Sequence, residues 1–119
     1  YLRQNYINMV QSKTALFSVG QQECAAYFKA LAHPARLAIL EYLAESKSCI
    51  TGDISDELPL GRTTVNQHLN ELKKAGLIQG KIDGVKTNYC LDPAGIKRLK
   101  VLAEDLMNEL SKDPLNYCK

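Results

Sequence analysis

The chain has 119 residues, 45% hydrophobic and 24% charged, with 15 Lys plus Arg against 13 Asp plus Glu for a net charge of +2. That composition excludes disorder, collagen-like repeats and low-complexity chains, and the length suits one domain that buries a core without disulfides or metal. No apolar run reaches the ~18–20 residues of a membrane span and no secretory leader is visible, so the expected location is the cytoplasm, with no membrane partner.

Residues 2–15 carry Leu2, Tyr6, Ile7, Met9 and Val10 in a weak helical pattern that breaks at Ser18-Val19-Gly20. A helix resumes over Gln21–Ala32 with Cys24, Ala25, Phe28, Leu31 and Ala32 on one stripe. His33-Pro34 then restarts the chain, because Pro suits the first turn of a helix and disfavours helix in the residue before it. Ala35–Ala44 follows as a helix turning Leu37, Ile39, Leu40 and Leu43 to a core. Ser48-Cys49-Ile50 suits a brief strand, and Thr51 suits the cap of a short helix through Leu58. After the tight connection Leu58-Pro59-Leu60-Gly61, a helix over Arg62–Ala75 has Val65, Leu69 and Leu72 inward and Gly76 as its stop. Helix, short turn, helix is the helix-turn-helix unit.

Beyond Gly76 the period changes. Residues 77–82 and 85–91 flank Asp83-Gly84, a strong hairpin signal. Asp92-Pro93 supplies an N-cap and a first-turn Pro for a last helix over Ala94–Ser111, striped by Ile96, Leu99, Leu102, Leu106, Met107 and Leu110. A helix-turn-helix followed directly by a hairpin is a winged helix: mainly α, with one small β-hairpin.

The charge is segregated. Residues 61–100 hold eight basic side chains against Glu71, Asp83 and Asp92, a local balance of +5, while the rest of the chain has seven basic and ten acidic. A basic segment beside an acidic one suits a module with one face toward a polyanion. Cys24, Cys49, Cys90 and Cys118 are widely spaced, without the close ligand pairs that a zinc ribbon needs. No Gly-rich phosphate loop and no Ser-His-Asp or Cys-His arrangement points to enzyme chemistry, and no cofactor is expected.

The segment Leu31-Ala32-His33-Pro34-Ala35-Arg36-Leu37-Ala38-Ile39-Leu40, together with Thr63-Thr64-Val65-Asn66-Gln67-His68-Leu69 and Ala75-Gly76-Leu77, resembles the ArsR family of transcriptional regulators. The likeness runs from about Phe28 to Leu91 and implies a homodimeric winged-helix repressor of double-stranded operator DNA. It also implies a division of the single domain 1–119 into an N-terminal dimerisation arm (1–20), a winged-helix core (21–91) and a C-terminal dimerisation helix (92–119). Two departures bear on the inducer, which the sequence does not identify. Metal-sensing members carry Cys-x-Cys immediately ahead of an Asp, where this chain has Ile50-Thr51-Gly52 before Asp53, with Cys49 one place early. Members that bind zinc through the last helix use Asp and His there, and both histidines of this chain, His33 and His68, lie elsewhere. No metal site is expected.

Within that frame Arg62, Thr63, Thr64, Asn66 and Gln67 are the candidate DNA contacts on the first two turns of the recognition helix: Arg reads guanine, Asn and Gln read adenine, and Thr touches phosphate or a thymine methyl. Lys73 on the same helix, and Lys81 and Lys86 beside the hairpin tip, complete the DNA-binding set together with His68, which suits either packing or a phosphate contact rather than metal ligation. Gly61 stands where the family often has a capping Ser. His33 reads as a helix cap, Arg36 as a support of the fold, and Tyr89 as packing. Cys90 is either a small buried residue or an unremarkable one. Leu99, Leu102, Leu106 and Leu110 are the candidate dimer interface. Cys24 and Cys118 lie in the terminal regions assigned to that interface and form a candidate thiol-sensing pair, against the alternative of a core residue and a tail thiol. A protein-binding winged helix is the competing class, and the basic recognition helix and wing argue for DNA instead.

Overall fold

The computed structural model describes residues 16–46, 49–51, 58–82 and 88–112. Their elements are α1 (Val19–Leu31), α2 (Pro34–Ser46), β1 (Ile50–Thr51), α3 (Arg62–Lys74), β2 (Ile78–Lys81), β3 (Asn88–Leu91) and α4 (Pro93–Leu110). The helix expected over 2–15, the body of the one expected over 51–58, and the Asp83-Gly84 turn lie outside the described residues. No helix among the described residues is long and apolar enough to cross a membrane.

Local chemistry sets the helix ends. Ser18 is the N-cap of α1 rather than part of a break: its hydroxyl accepts from Gln21 N at 3.0 Å, and the Gln21 side chain accepts from Ser18 N at 2.9 Å. This reciprocal box satisfies two of the donors that a helix start leaves open. His33 Nδ1 accepts from Ala35 N at 3.0 Å, so His33 caps α2 as its position before Pro34 implied. At the far end of α3, Gly76 takes φ +81°, Gly76 N donates to Lys73 O and Leu77 N to Leu72 O, both at 3.0 Å. That pair is a Schellman motif, and it turns the chain directly into β2.

Ala30, Ile39, Leu43, Val65, Leu69, Leu72, Leu77, Ile78 and Tyr89 form one buried cluster joining α1, α2, α3 and the sheet. The buried stripe of α2 is Ala35, Ile39 and Leu43, residues four apart. Leu37, expected in the core, is 45% exposed, because it lies about 200° round the helix from Ala35, whereas Ile39 and Leu43 of the same expected set are buried. In α1, Ala30 and Cys24 are buried, whereas Ala25 and Ala32 of the expected stripe are exposed.

The sheet has three antiparallel strands in the order β1-β3-β2. The hairpin strands β2 and β3 were legible in the sequence, as was the brief strand near Ser48-Cys49-Ile50; it forms as β1, where Thr51 pairs with Asn88, and the helix expected to follow Thr51 lies outside the described residues. Gly80 lies opposite Tyr89 with φ +127°, and an added Cβ would sit 2.7 Å from Tyr89 Cα. Only glycine permits that approach, which brings β2 tight against the strand whose Tyr89 is fully buried. Asp92 then caps α4, its carboxylate accepting from Ala94 N at 3.1 Å and Gly95 N at 3.3 Å. Asp92 N donates to Leu77 O at 2.9 Å, and Arg98 reaches Glu23 at 2.6 Å, so α4 is fastened to the α3–β2 turn and to α1.

Candidate nucleic-acid interface

The second helix of the helix-turn-helix, α3, has one face in the core and one in solvent. Val65, His68, Leu69 and Leu72 are buried. Thr63, Gln67, Asn70 and Lys74 are exposed and spaced four, three and four apart, so they rise along the opposite face. Arg62, Thr64 and Lys73 are exposed on its flanks, and Asn66 is half-buried beside them. Asn70 and Lys74 were absent from the set drawn from the sequence; carrying the spacing of Thr63 and Gln67 one turn further would have found them. Lys74 also pairs with Glu71 at 3.5 Å, an exposed i,i+3 contact.

The start of this face is open. Gly61 is the N-cap of α3 with extended backbone and no side-chain cap, and nothing lies within 4 Å of the Cβ it lacks. Gly61, Arg62, Thr63 and Thr64 are exposed, so the positive end of the α3 dipole lies at the surface, a setting that favours phosphate. Lys81, exposed at the end of β2, places a positive charge at the base of the wing. Lys86 lies outside the described residues.

His68 does not join the exposed set. It is 9% exposed, its ring stacks obliquely on His33 at 4.2 Å between centroids, and Arg36 Nε donates to its Nδ1 at 3.1 Å. Its position three residues after Val65 and four before Leu72 puts it in the buried stripe, which corrects its place among the DNA contacts. Burial, then the neighbouring His33 and the Arg36 guanidinium, hold its pKa below the ordinary imidazole value. A neutral ring is also what an N–H donor at Nδ1 requires. Arg36 further donates to Ala30 O at 3.1 Å, so one guanidinium joins α1, α2 and α3 and fixes the recognition helix on its platform.

The remaining candidates separate by environment. Leu99 is half-buried and packs on the core, which removes it from a purely external interface. Leu102 and Leu106 face Cys24, Ala25 and Phe28 across a groove between α1 and α4. Leu110 is 58% exposed and Met107 52% exposed. Cys24 is buried and carries a free thiol; Cys118 lies outside the described residues. Cys49 and Cys90, given no joint role from the sequence, form a disulfide. Among the described residues no three His, Cys, Asp or Glu side chains gather into a metal-sized cluster.

Comparison with known proteins agrees with this geometry. Residues 31–80 match a family model described as a helix-turn-helix domain. The chain is 36% identical over 85 residues to an uncharacterised HTH-type transcriptional regulator of Methanocaldococcus jannaschii, spanning 71% of this chain and 96% of that one. An ArsR-like transcriptional regulator from Rhodococcus superposes with a TM-score of 0.58 at 25% identity, over 76% of this chain and 84% of its own. The homodimeric winged helix-turn-helix DNA-binding domain of a possible ArsR-family regulator from Mycobacterium bovis superposes with a TM-score of 0.52 at 27% identity, over 82% and 85%. The core that seats α3, its exposed polar face and these relatives agree: the chain belongs to the ArsR family of winged helix-turn-helix, DNA-binding transcriptional regulators.

Proposed function

We propose that the protein is a homodimeric repressor that inserts α3 into the major groove and sets the wing on flanking phosphates. The observation that carries this reading is the outward face of α3, where Thr63, Gln67, Asn70 and Lys74 align opposite a fully packed apolar face. Gln67, central on that face, is the base reader of choice, since its amide pairs in bidentate fashion with adenine. Arg62, Thr63 and Thr64 surround the open helix start and hold phosphate, with Asn66 at the groove edge. Lys73, Lys74, Lys81 and Lys86 add sequence-independent attraction. The first turn then positions the helix and the second reads the sequence.

A second copy accounts for the apolar residues left in solvent. Leu16, Phe17, Val19, Met107 and Leu110 are all exposed. They belong to the start of α1 and the end of α4, two segments that lie beside one another along a groove. An exposed cluster of that kind is the usual mark of an interface, and the homodimeric M. bovis relative supplies the precedent. Leu102 and Leu106 line the adjoining groove. Two recognition helices then meet half-sites about 34–36 Å apart.

Binding of labelled duplexes across a salt series tests the reading. Affinity for a selected duplex falls steeply with salt through counterion release, and a scrambled duplex binds far more weakly. Gln67→Ala relaxes preference at one base pair by ~1–3 kcal/mol, while Lys81→Ala weakens every duplex alike and lowers the salt slope by about 1. Equal affinity for selected and scrambled DNA refutes sequence-specific binding.

A further inference from the structure

The sulfur pair Cys49–Cys90 lies where a covalent bond bears on the DNA-contacting unit. Ile50 pairs with Tyr89 and Thr51 with Asn88, so the same register carried one step outward sets Cys49 directly across from Cys90. Their Cα atoms are 4.2 Å apart, the close spacing of a non-hydrogen-bonded pair in an antiparallel ladder. The bond joins residues 41 positions apart, and the loop it closes holds all of α3 and β2. The recognition helix and the root of the wing therefore lie inside one covalent ring.

The bond is also within reach of solvent. Cys49 is exposed, and both cysteines line an open pocket of about 310 Å³ with Leu43, Gln79 and Pro93. Gln79 Nε2 lies 3.9 Å from Cys90 Sγ, a polar side-chain contact in the lining of that pocket. A disulfide kept purely as a staple gains nothing from such access, whereas thiol–disulfide exchange needs an approach to sulfur. The two-residue strand β1 holds few ladder bonds of its own, so the cross-link contributes much of what fastens it to β3.

We propose that Cys49 and Cys90 are a reversible thiol–disulfide site that sets DNA affinity, exchanging with small thiols and disulfides such as glutathione. In oxidation the exposed Cys49 thiolate attacks a sulfur of the small disulfide RSSR, forming a mixed disulfide and releasing RS⁻. The Cys90 thiolate then attacks Cys49 Sγ, forming the Cys49–Cys90 bond and expelling the second RS⁻. Two protein thiols are oxidised, one RSSR is reduced to two RSH, and the two thiol protons end on the released RSH. Reduction runs the same steps in reverse. The disulfide form holds β1, β3 and the enclosed α3 in one arrangement, so it meets DNA preorganised and binds more tightly than the dithiol.

This inference rests on the DNA-binding reading, and its test separates the two. The full chain is equilibrated in glutathione buffers of stepped ratio, its thiols are trapped by alkylation, and peptide mapping follows the Cys49–Cys90 link. In parallel, fluorescence anisotropy follows binding to a labelled duplex selected from a random pool with the Cys49→Ser/Cys90→Ser double variant. The link is expected to titrate reversibly, and reduction to weaken binding at least ~5-fold, the low end of ordinary allosteric coupling. The double variant stays at the weaker affinity in both buffers, and Cys24→Ser keeps the wild-type response. A dithiol that binds as tightly as the disulfide form, a link that does not titrate, or a response lost in Cys24→Ser overturns the proposal. Failure of every form to select or bind DNA, with the link still titrating, overturns the interface reading instead.

Discussion

Two glycine-to-alanine substitutions are expected to move stability in opposite directions, although helix propensity gives them the same sign. Gly20 and Gly95 both lie in the first turn of a helix, and alanine there gains up to about 1 kcal/mol on propensity alone. At Gly20 the nearest atom to an added Cβ is Ser18 Oγ at 3.9 Å, so the gain is kept. At Gly95 the same methyl lands on the Gly76 carbonyl, 2.8 Å from its carbon, with Leu77 N at 3.5 Å. Neither side yields cheaply. Gly76 is held in the Schellman turn, Leu77 is fully buried, and Asp92 N binds Leu77 O. Overpacking of this kind costs typically 1–3 kcal/mol, and a clash with backbone belongs at the upper end. Subtracting the propensity gain leaves Gly95→Ala about 2 kcal/mol less stable, a Tm lower by roughly 10 °C for a domain of this size. Urea and thermal melts followed by circular dichroism read both variants. A Gly95→Ala midpoint equal to or above the parent's refutes the packing of α4 against the α3–β2 turn.

Other perturbations probe the remaining parts. Because His68 has its pKa lowered in the native state, the unfolded chain gains a proton there first; stability falls as pH drops below about 6.5, and the loss levels off below the native value. His68→Gln flattens the urea midpoint between pH 7.5 and 5.5, and an unchanged slope assigns the pH dependence to other groups. Glu23 is held below its ordinary value by its bond to Arg98, so the stability it lends is present above about 4.5 and is lost as pH falls through the lowered value; Glu23→Gln removes that acid-side component. Met107→Asp and Leu110→Asp leave the fold intact, since both side chains are more than half exposed, and light scattering finds monomer; an undiminished dimer places the interface elsewhere. Gly61→Ser adds a cap to α3 and raises stability by a few tenths of a kcal/mol, as a melt of that variant reads directly.

Features set by neighbours in the sequence were legible. Asp92-Pro93, His33-Pro34 and Gly76 mark helix ends by chemistry that works over two or three residues, and each helix end lies within about two positions of its expectation. The inward stripe of α3 followed from the spacing of Val65, Leu69 and Leu72. His68 shares that spacing, and the choice between packing and phosphate contact stayed open because the Arg36 donor that makes its burial tolerable comes from 32 positions away. Leu37 failed for a related reason: α2 is apolar on several sides, so composition alone did not choose the face that Ile39 fills. The Cys49–Cys90 pair depends on register between a two-residue strand and a strand far along the chain. Its one local trace is that Ser48-Cys49-Ile50 and Tyr89-Cys90-Leu91 are both short apolar runs with Cys in the middle.

The strand order has a consequence for how the chain assembles. β3 is the middle strand of the sheet but the last to appear in the sequence, so neither β1 nor β2 has its partner until residue 91 has been made. The Arg36–His68 bond that seats α3 spans 32 positions and the β1–β3 pairs span 37 and 39, so loop closure costs about the same in both, and it is the order of synthesis that lets the helices meet first. Synthesis therefore makes the recognition helix and its helical platform available before the wing, and Tyr89 is the last residue of the buried cluster to be made.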